Sequence, residues 1–265
     1  MRLACCQLDI AREDKSANCR RVEALVADAG LAPGTLLLLP EMFATGFTMH
    51  ADTVAEPLDG PTTEFLADLA QQHAIFVQAG VVIRHESCQR PRNESLVFSP
   101  DGQLLTHYAK MHLFSFAGEP KHYASGQSPV QFSWQNATVA PAICYDLRFP
   151  ELLREAAIRG MEIATIIACW PALREEHWLT LLRARAIENQ CYVAAANRCG
   201  RDPSGLAYSG RSQIIDPRGA ILADAGDHEA VIQAHVDLDD LRRYRTEFPA
   251  LRDIRIPPER RSSPS

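Results

Sequence analysis

The chain has 265 residues, 46% apolar and 23% charged, with a formal net charge of −6. That composition suits one large domain or two small ones with a sizeable core, and it lacks the basic footprint of a nucleic-acid binder. No apolar run approaches the ~18 residues of a membrane span, so no membrane partner is expected. The start, Met1-Arg2-Leu3-Ala4-Cys5-Cys6-Gln7, turns polar too soon for a signal peptide. Eight cysteines without a CxxC pair point to a reducing, cytoplasmic setting rather than a disulfide frame or a zinc site.

In chain order, a strand is predicted over 2–9 and a helix over 14–29, where Val22, Leu25, Val26 and Ala29 recur at helical spacing. A strand over 35–40 follows. A helix over 61–73 opens after Gly60-Pro61 and carries the stripe Phe65, Leu66, Leu69, Ala70. Strands are expected at 75–83, 94–99 and 104–109, the last two joined by a hairpin turn at Asp101-Gly102. Strand 138–143 leads into helix 149–159, and strand 163–169 into helix 173–190. Strands 192–197, 207–215, 220–224 and 230–237 follow, with further turns of the same kind at Pro217-Arg218-Gly219 and Ala225-Gly226-Asp227. A helix over 238–246 carries Arg242-Arg243-Tyr244-Arg245, read as a solvated basic face. Residues 257–265, rich in proline, charge and serine, read as a loose tail behind a single domain, 1–256.

Eleven strands against five helices are too many for a simple parallel α/β sheet. A layered mixed fold, with helices outside two sheets, fits better. Within it, three reactive side chains share one local grammar. Leu36-Leu37-Leu38-Leu39-Pro40 runs into Glu41, Leu104 to Ala109 into Lys110, and Val139 to Ile143 into Cys144. Each stands at the carboxyl end of an expected buried strand, where open α/β sheets place catalysts. Singly, Glu41 reads equally as a cap, Lys110 as a solvated cation and Cys144 as core filler. Together they make a coherent chemical set.

A free thiol titrates near ~8.5 and is mostly protonated at neutrality. A carboxylate beside it can accept the proton. An ammonium can then stabilise the oxyanion of a tetrahedral intermediate, with the backbone N–H of Tyr145 as a second donor. On this scheme Lys110→Ala should lower turnover steeply. Cysteine–histidine catalysis is a rival, with nine histidines available and His112 near Lys110, but none has a context that singles it out. For metal hydrolysis the nearest ligand pair is His107 and His112, which a strand running into a turn would not align. No GxGxxG or P-loop is present, so nucleotide chemistry is unsupported.

LLLLPEMFATGF around Glu41, YAKMHLF around Lys110 and ICYDLRFPEL around Cys144, in that order, resemble the three motifs of the nitrilase-like carbon–nitrogen hydrolase superfamily. ACWP and RARAIENQCYVAAANR extend the resemblance to nearly the whole chain, about residues 2 to 255. The resemblance implies a four-layer α-β-β-α sandwich without metal or cofactor. It also implies a homodimer paired through 149–159 and 173–190. It implies a second glutamate orienting the lysine, for which Glu119 in FAGEPKHY has the spacing; an exposed loop acid is the other reading of Glu119. Within the superfamily the chain is similar to the ω-amidases, which hydrolyse the terminal amide of 2-oxoglutaramate and 2-oxosuccinamate through a cysteine thioester. Deaminated-glutathione amidase, N-carbamoyl-amine hydrolase, nitrilase and a non-catalytic scaffold on the same fold are the alternatives. Cys169 departs from the pattern, since many relatives carry asparagine there.

Such a substrate has a distal carboxylate, for which Arg148, Arg174 and Arg198 are candidate partners. Arg148 equally suits an ion pair with Asp146 and Glu151. Phe43, Phe116, Tyr145 and Trp170 are expected pocket walls, though aromatics at such places are as often core. His177 reads either as a lining residue or as a helix-surface histidine.

Overall fold

The computed structural model describes residues 1–255, and the predicted tail at 257–265 lies outside the described residues. The first sheet takes β1 (Arg2–Gln7), β2 (Leu36–Leu38), β3 (Phe76–Ile83), β4 (Arg92–Phe98) and β5 (Leu104–Ala109). The second takes β6 (Phe132–Trp134), β7 (Ala137–Ile143), β8 (Ile163–Ala168) and β9 (Tyr192–Asn197). β10 (Cys199–Arg201) and β11 (Ala207–Ser209) form a separate ribbon, β12 (Gln213–Ile215) and β13 (Ile221–Asp224) complete the second sheet, and β14 (Ala230–His235) returns to the first. The orders are β14-β1-β2-β3-β4-β5 and β13-β12-β9-β8-β7-β6.

Each sheet has a parallel centre, β1-β2-β3 and β7-β8-β9, with antiparallel strands outside. Strands covered on both faces read as unbroken apolar runs, and β2 and β8 are buried throughout. The helices are α1 (Lys15–Ala29), α2 (Ala51–Val54), α3 (Pro61–His73), α4 (Pro150–Ile158), α5 (Glu175–Asn189) and α6 (Leu238–Glu247). α1 starts where the Asp14 side chain accepts from Ala17 N–H and stops at Gly30 in the left-handed region. α3 starts at Pro61, whose missing N–H costs nothing in a first turn.

Period-two alternation assigns the faces of the first sheet. Leu3, Cys5, Leu36, Leu38, Val97 and Tyr108 point inward and join the core shared with the second sheet. Ala4, Cys6, Leu37, Leu39, Leu96 and Phe98 point outward, onto Val22 and Val26 of α1 and Leu66, Leu69 and Ala70 of α3. Leu152, Leu153, Ala156, Trp178, Leu182 and Ala186 of α4 and α5 close the far side. The result is the expected four-layer α-β-β-α sandwich.

Three expectations change. The predicted strand 207–215 is two strands in different sheets, because Gly210 (φ 68°) and Arg211 (φ 54°) both take left-handed backbone between them. The turn at Ala225-Gly226-Asp227 joins no hairpin, since β13 pairs with β12 and β14 with β1. β5 is an edge strand and only partly buried. The short β6 and β10, and α2, were not foreseen.

Candidate active site

β2, β3 and β5 run the same way, with β4 antiparallel between β3 and β5. The carboxyl ends of β2 and β5 and the amino end of β4 therefore share one edge of the first sheet. The carboxyl ends of β7 and β8 approach that edge from the second. Glu41, Lys110, Asn93, Cys144 and Cys169 meet there.

Glu41 is reached by a tight backbone path. Met42 has φ 46°, and the segment folds over β3 with Phe43 N–H donating to Gly80 O (3.1 Å) and Gly80 N–H to Pro40 O (3.2 Å). A Cβ on Gly80 would stand 2.5 Å from Met42 N and 2.6 Å from Glu41 Cα, so only glycine permits this approach. Glu41 is fully buried and fully partnered. Its Oε1 accepts from Lys110 Nζ (2.8 Å) and Asn93 Nδ2 (2.7 Å), and its Oε2 from the Cys169 N–H (2.9 Å).

Lys110 is 1% exposed and lies between two carboxylates, with Glu119 Oε1 and Oε2 at 3.1 and 3.0 Å. Burial alone would pull the lysine down. The charges of Glu119 and Glu41, with Cys144 behind them, overcome it and hold the ammonium charged well above the usual range. Glu119 is fully buried, which excludes the exposed-loop reading. It also accepts from Phe114 N–H and, at 3.2 Å, from Asn93 Nδ2. Asn93 thus ties both carboxylates together.

Cys144 follows β7 directly and takes φ 47°, a costly conformation for a side chain with a Cβ. The elbow is held by Asp146, whose Oδ2 accepts from Ile143 N–H (3.0 Å) and Tyr108 O–H (2.8 Å). Asp146 Oδ1 takes the backbone N–H of His112 (2.9 Å) and lies 2.8 Å from its Nδ1. One buried carboxylate therefore locks the thiol's turn to the segment that carries Lys110. His112 serves this lock and stacks on Phe149 (centroids 3.9 Å apart) rather than pairing with the thiol.

Burial pushes the Cys144 thiol well above its ordinary range, the Glu41 charge and hydrogen-bonding carboxylate raise it further, and Lys110 opposes them. Two carboxylates against one ammonium leave this pocket net negative. It is suited to general-base chemistry, in which the proton leaves sulfur as sulfur attacks.

The mouth is aromatic and cationic. Arg148 lies 4.7 Å from the Trp170 ring centroid and 5.9 Å from that of Tyr145, and its Nη2 meets His177 Nδ1 at 3.1 Å. Arg174 lies 5.4 Å from the Phe114 ring centroid, and Phe114 packs on Tyr145 at 5.0 Å. Neither arginine has a carboxylate partner among the described residues, so the ion pair of Arg148 with Asp146 and Glu151 does not form. Burial, with Arg174 nearby, lowers Arg148 from its usual range. Trp170 is braced by its indole N–H to Arg174 O (2.7 Å) and its backbone N–H to Asn197 Oδ1 (2.7 Å).

Three expected residues stand elsewhere. Phe43 is buried against Phe65 (6.1 Å) in the outer core, because the bend at Met42 turns it away from the pocket. Phe47, 5.4 Å from Lys110 Nζ, lines the pocket instead. Phe116 is 87% exposed, and Phe114 takes the wall position. Arg198 is buried against Asp9 Oδ1 (3.3 Å), Ile10 O (3.2 Å) and the Tyr208 ring. Asn93, Asp146, Phe47 and Phe114 were not anticipated. Cys169 donates its backbone N–H to Glu41 and its Sγ lies 3.1 Å from Glu41 O, so it touches the carboxylate's own peptide.

The carbon–nitrogen hydrolase family profile matches residues 2–246. The chain is 34% identical over 255 residues to the 2-oxoglutaramate amidase of Bacillus subtilis (strain 168), covering 96% of this chain and 97% of that protein. It is 39% identical over 225 residues to the omega-amidase YafV of Escherichia coli (strain K12), covering 84% and 86%. A carbon–nitrogen hydrolase superfamily protein from Xanthomonas campestris, solved with an arsenic adduct in its active site, superposes with a TM-score of 0.91 at 34% identity over 97% of both chains. The chain belongs to the carbon–nitrogen hydrolase family, and the reaction of this enzyme is the hydrolysis of an amide.

Proposed function

We propose that the enzyme removes ammonia from the terminal carboxamide of a small 2-oxo acid amide, such as 2-oxoglutaramate or 2-oxosuccinamate, with Cys144 as nucleophile and Glu41 as base. The observation that carries this reading is a single ammonium held between two buried carboxylates beside a thiol on a strained turn. Glu41 takes the thiol proton as sulfur attacks the amide carbon. Once protonated, Glu41 no longer engages the charge of Lys110, which then faces the oxyanion with Glu119 still holding it in place. The Tyr145 N–H is the second oxyanion donor. The proton on Glu41 passes to the departing ammonia, leaving a thioester, which water cleaves with Glu41 as base again.

Arg148 and Arg174, cations without a carboxylate partner among the described residues, suit the far carboxylate of such a substrate. The names of the B. subtilis and E. coli relatives agree with that class. Pairing of two copies through α4 and α5 is part of the proposal, supported by the exposed Ile158 and Ile187 on those helices and by Leu173 in the turn before α5. So is residence in the cytoplasm, supported by eight free cysteines. Among the described residues no helix is long and apolar enough to cross a membrane.

The test is ammonia release from 2-oxoglutaramate, 2-oxosuccinamate, a nitrile and an N-carbamoyl amino acid at equal concentration. The 2-oxo acid amides should be fastest. Faster turnover of either of the others would overturn the substrate assignment.

A further inference from the structure

Glu94 neighbours Asn93 on β4 but faces the other way, outward from the sheet. Its carboxylate is fully buried. Its side-chain partners are two imidazoles: His85 Nε2 at 2.7 Å from Oε1, and His107 Nδ1 at 2.7 Å from Oε2. His85 comes from the loop after β3 and His107 from β5, opposite Leu96. The three donor atoms lie within 4.8 Å of one another. Both rings reach solvent, at 21% and 42% side-chain exposure.

We propose that His85, Glu94 and His107 bind one divalent transition-metal ion, Zn²⁺ by preference, with water completing the coordination. Two imidazoles and one carboxylate are a borderline-soft donor set that suits Zn²⁺ rather than Ca²⁺ or Mg²⁺. Bonds of ~2.0–2.1 Å in a tetrahedron put donors about 3.3 Å apart. Each 2.7 Å contact therefore has to open by about 0.6 Å, which the loop placement of His85 allows. Arg92 is the cation that acts on His107, and it limits the affinity without occupying a donor. The ion is not catalytic, since β4 separates it from Cys144. It clamps the β3 loop, β4 and β5, and so braces the strands that carry Asn93 and Lys110.

Chelator-stripped full-length protein in a Cys144→Ser background, which removes the active-site thiol as a competing ligand, is titrated with Zn²⁺ by calorimetry. One ion per chain and a rise in Tm are expected. His85→Ala and His107→Ala should each weaken uptake about tenfold or more. Co²⁺ should give tetrahedral visible absorption in the folded parent and lose it in His85→Ala, a readout that needs no comparison of stabilities. No saturable Zn²⁺ uptake by the parent, or uptake unchanged in both histidine variants, overturns the site.

Discussion

Two buried carboxylates lie back to back across β4, and they are neutralised in opposite ways. On the inner face Glu41 meets a lysine that 1% exposure keeps from water, with Glu119 sharing the same ammonium. On the outer face Glu94 meets two partly exposed imidazoles. The inner partner carries a fixed charge in a dry place, so that charge is available to a reaction. The outer partners are imidazoles open to solvent, suited to taking up an ion. One strand serves both because adjacent side chains point to opposite faces.

Breaking the inner arrangement should have the largest effect. Lys110→Ala should lower turnover by about 10²–10³-fold, as for the loss of one oxyanion donor. It should also cost about 3–5 kcal/mol of stability, because Glu41 and Glu119 are left buried without their cation. Denaturant unfolding beside steady-state kinetics separates the two losses, and near-normal activity would remove Lys110 from the scheme. Asn93→Ala removes donors to both carboxylates, at 2.7 and 3.2 Å. A loss of about 1.5–3 kcal/mol of stability per charge-assisted bond is expected, read as a lower urea midpoint, and kcat should fall by more than any change in KM. On the outer face His107→Ala should cost only about 1–2 kcal/mol, measured as a small drop in Tm.

Alkaline pH sharpens the same contrast. Burial raises Cys144 and Cys169 well above the ordinary thiol value of 9.0, and Cys6 and Cys191 to about 12. Above pH 9 the unfolded chain releases these protons and the folded chain keeps them. The folded state then binds more protons, so stability falls as pH rises, by about 1.4 kcal/mol per unit for each such thiol. Lys110, also raised, adds to the loss above its unfolded value of 10.5. Urea midpoints should therefore drop steeply between pH 9 and the folded thiol range, and a flat profile would contradict the burial argument.

Much of the inner site was legible because strand-end residues obey a local rule. Glu41, Lys110 and Cys144 each end an expected strand, whereas Glu119 is marked only by the family resemblance. Asn93 and Asp146 carry no such mark. They are ordinary polar residues whose partners lie 52 and 38 positions away, at Glu41 and Tyr108. Phe43 and Phe116 were misplaced because side-chain direction in an irregular segment depends on backbone angles such as Met42 φ 46°. The outer cluster was missed because His107 was paired in sequence with His112, whereas strand pairing sets it beside Glu94 and His85. The central strands and long helices were read within a few residues, while three-residue strands such as β6 and β10 have too little pattern to register.

The central claim is that sulfur 144 carries the acyl group. The enzyme is mixed with 2-oxosuccinamate, quenched in acid within a turnover and digested for peptide mass spectrometry. The acyl mass should sit on the peptide containing Cys144 and on none of the other seven cysteines, and it should vanish with Cys144→Ala. An adduct on a different thiol, or undiminished ammonia release by Cys144→Ala, would contradict the account.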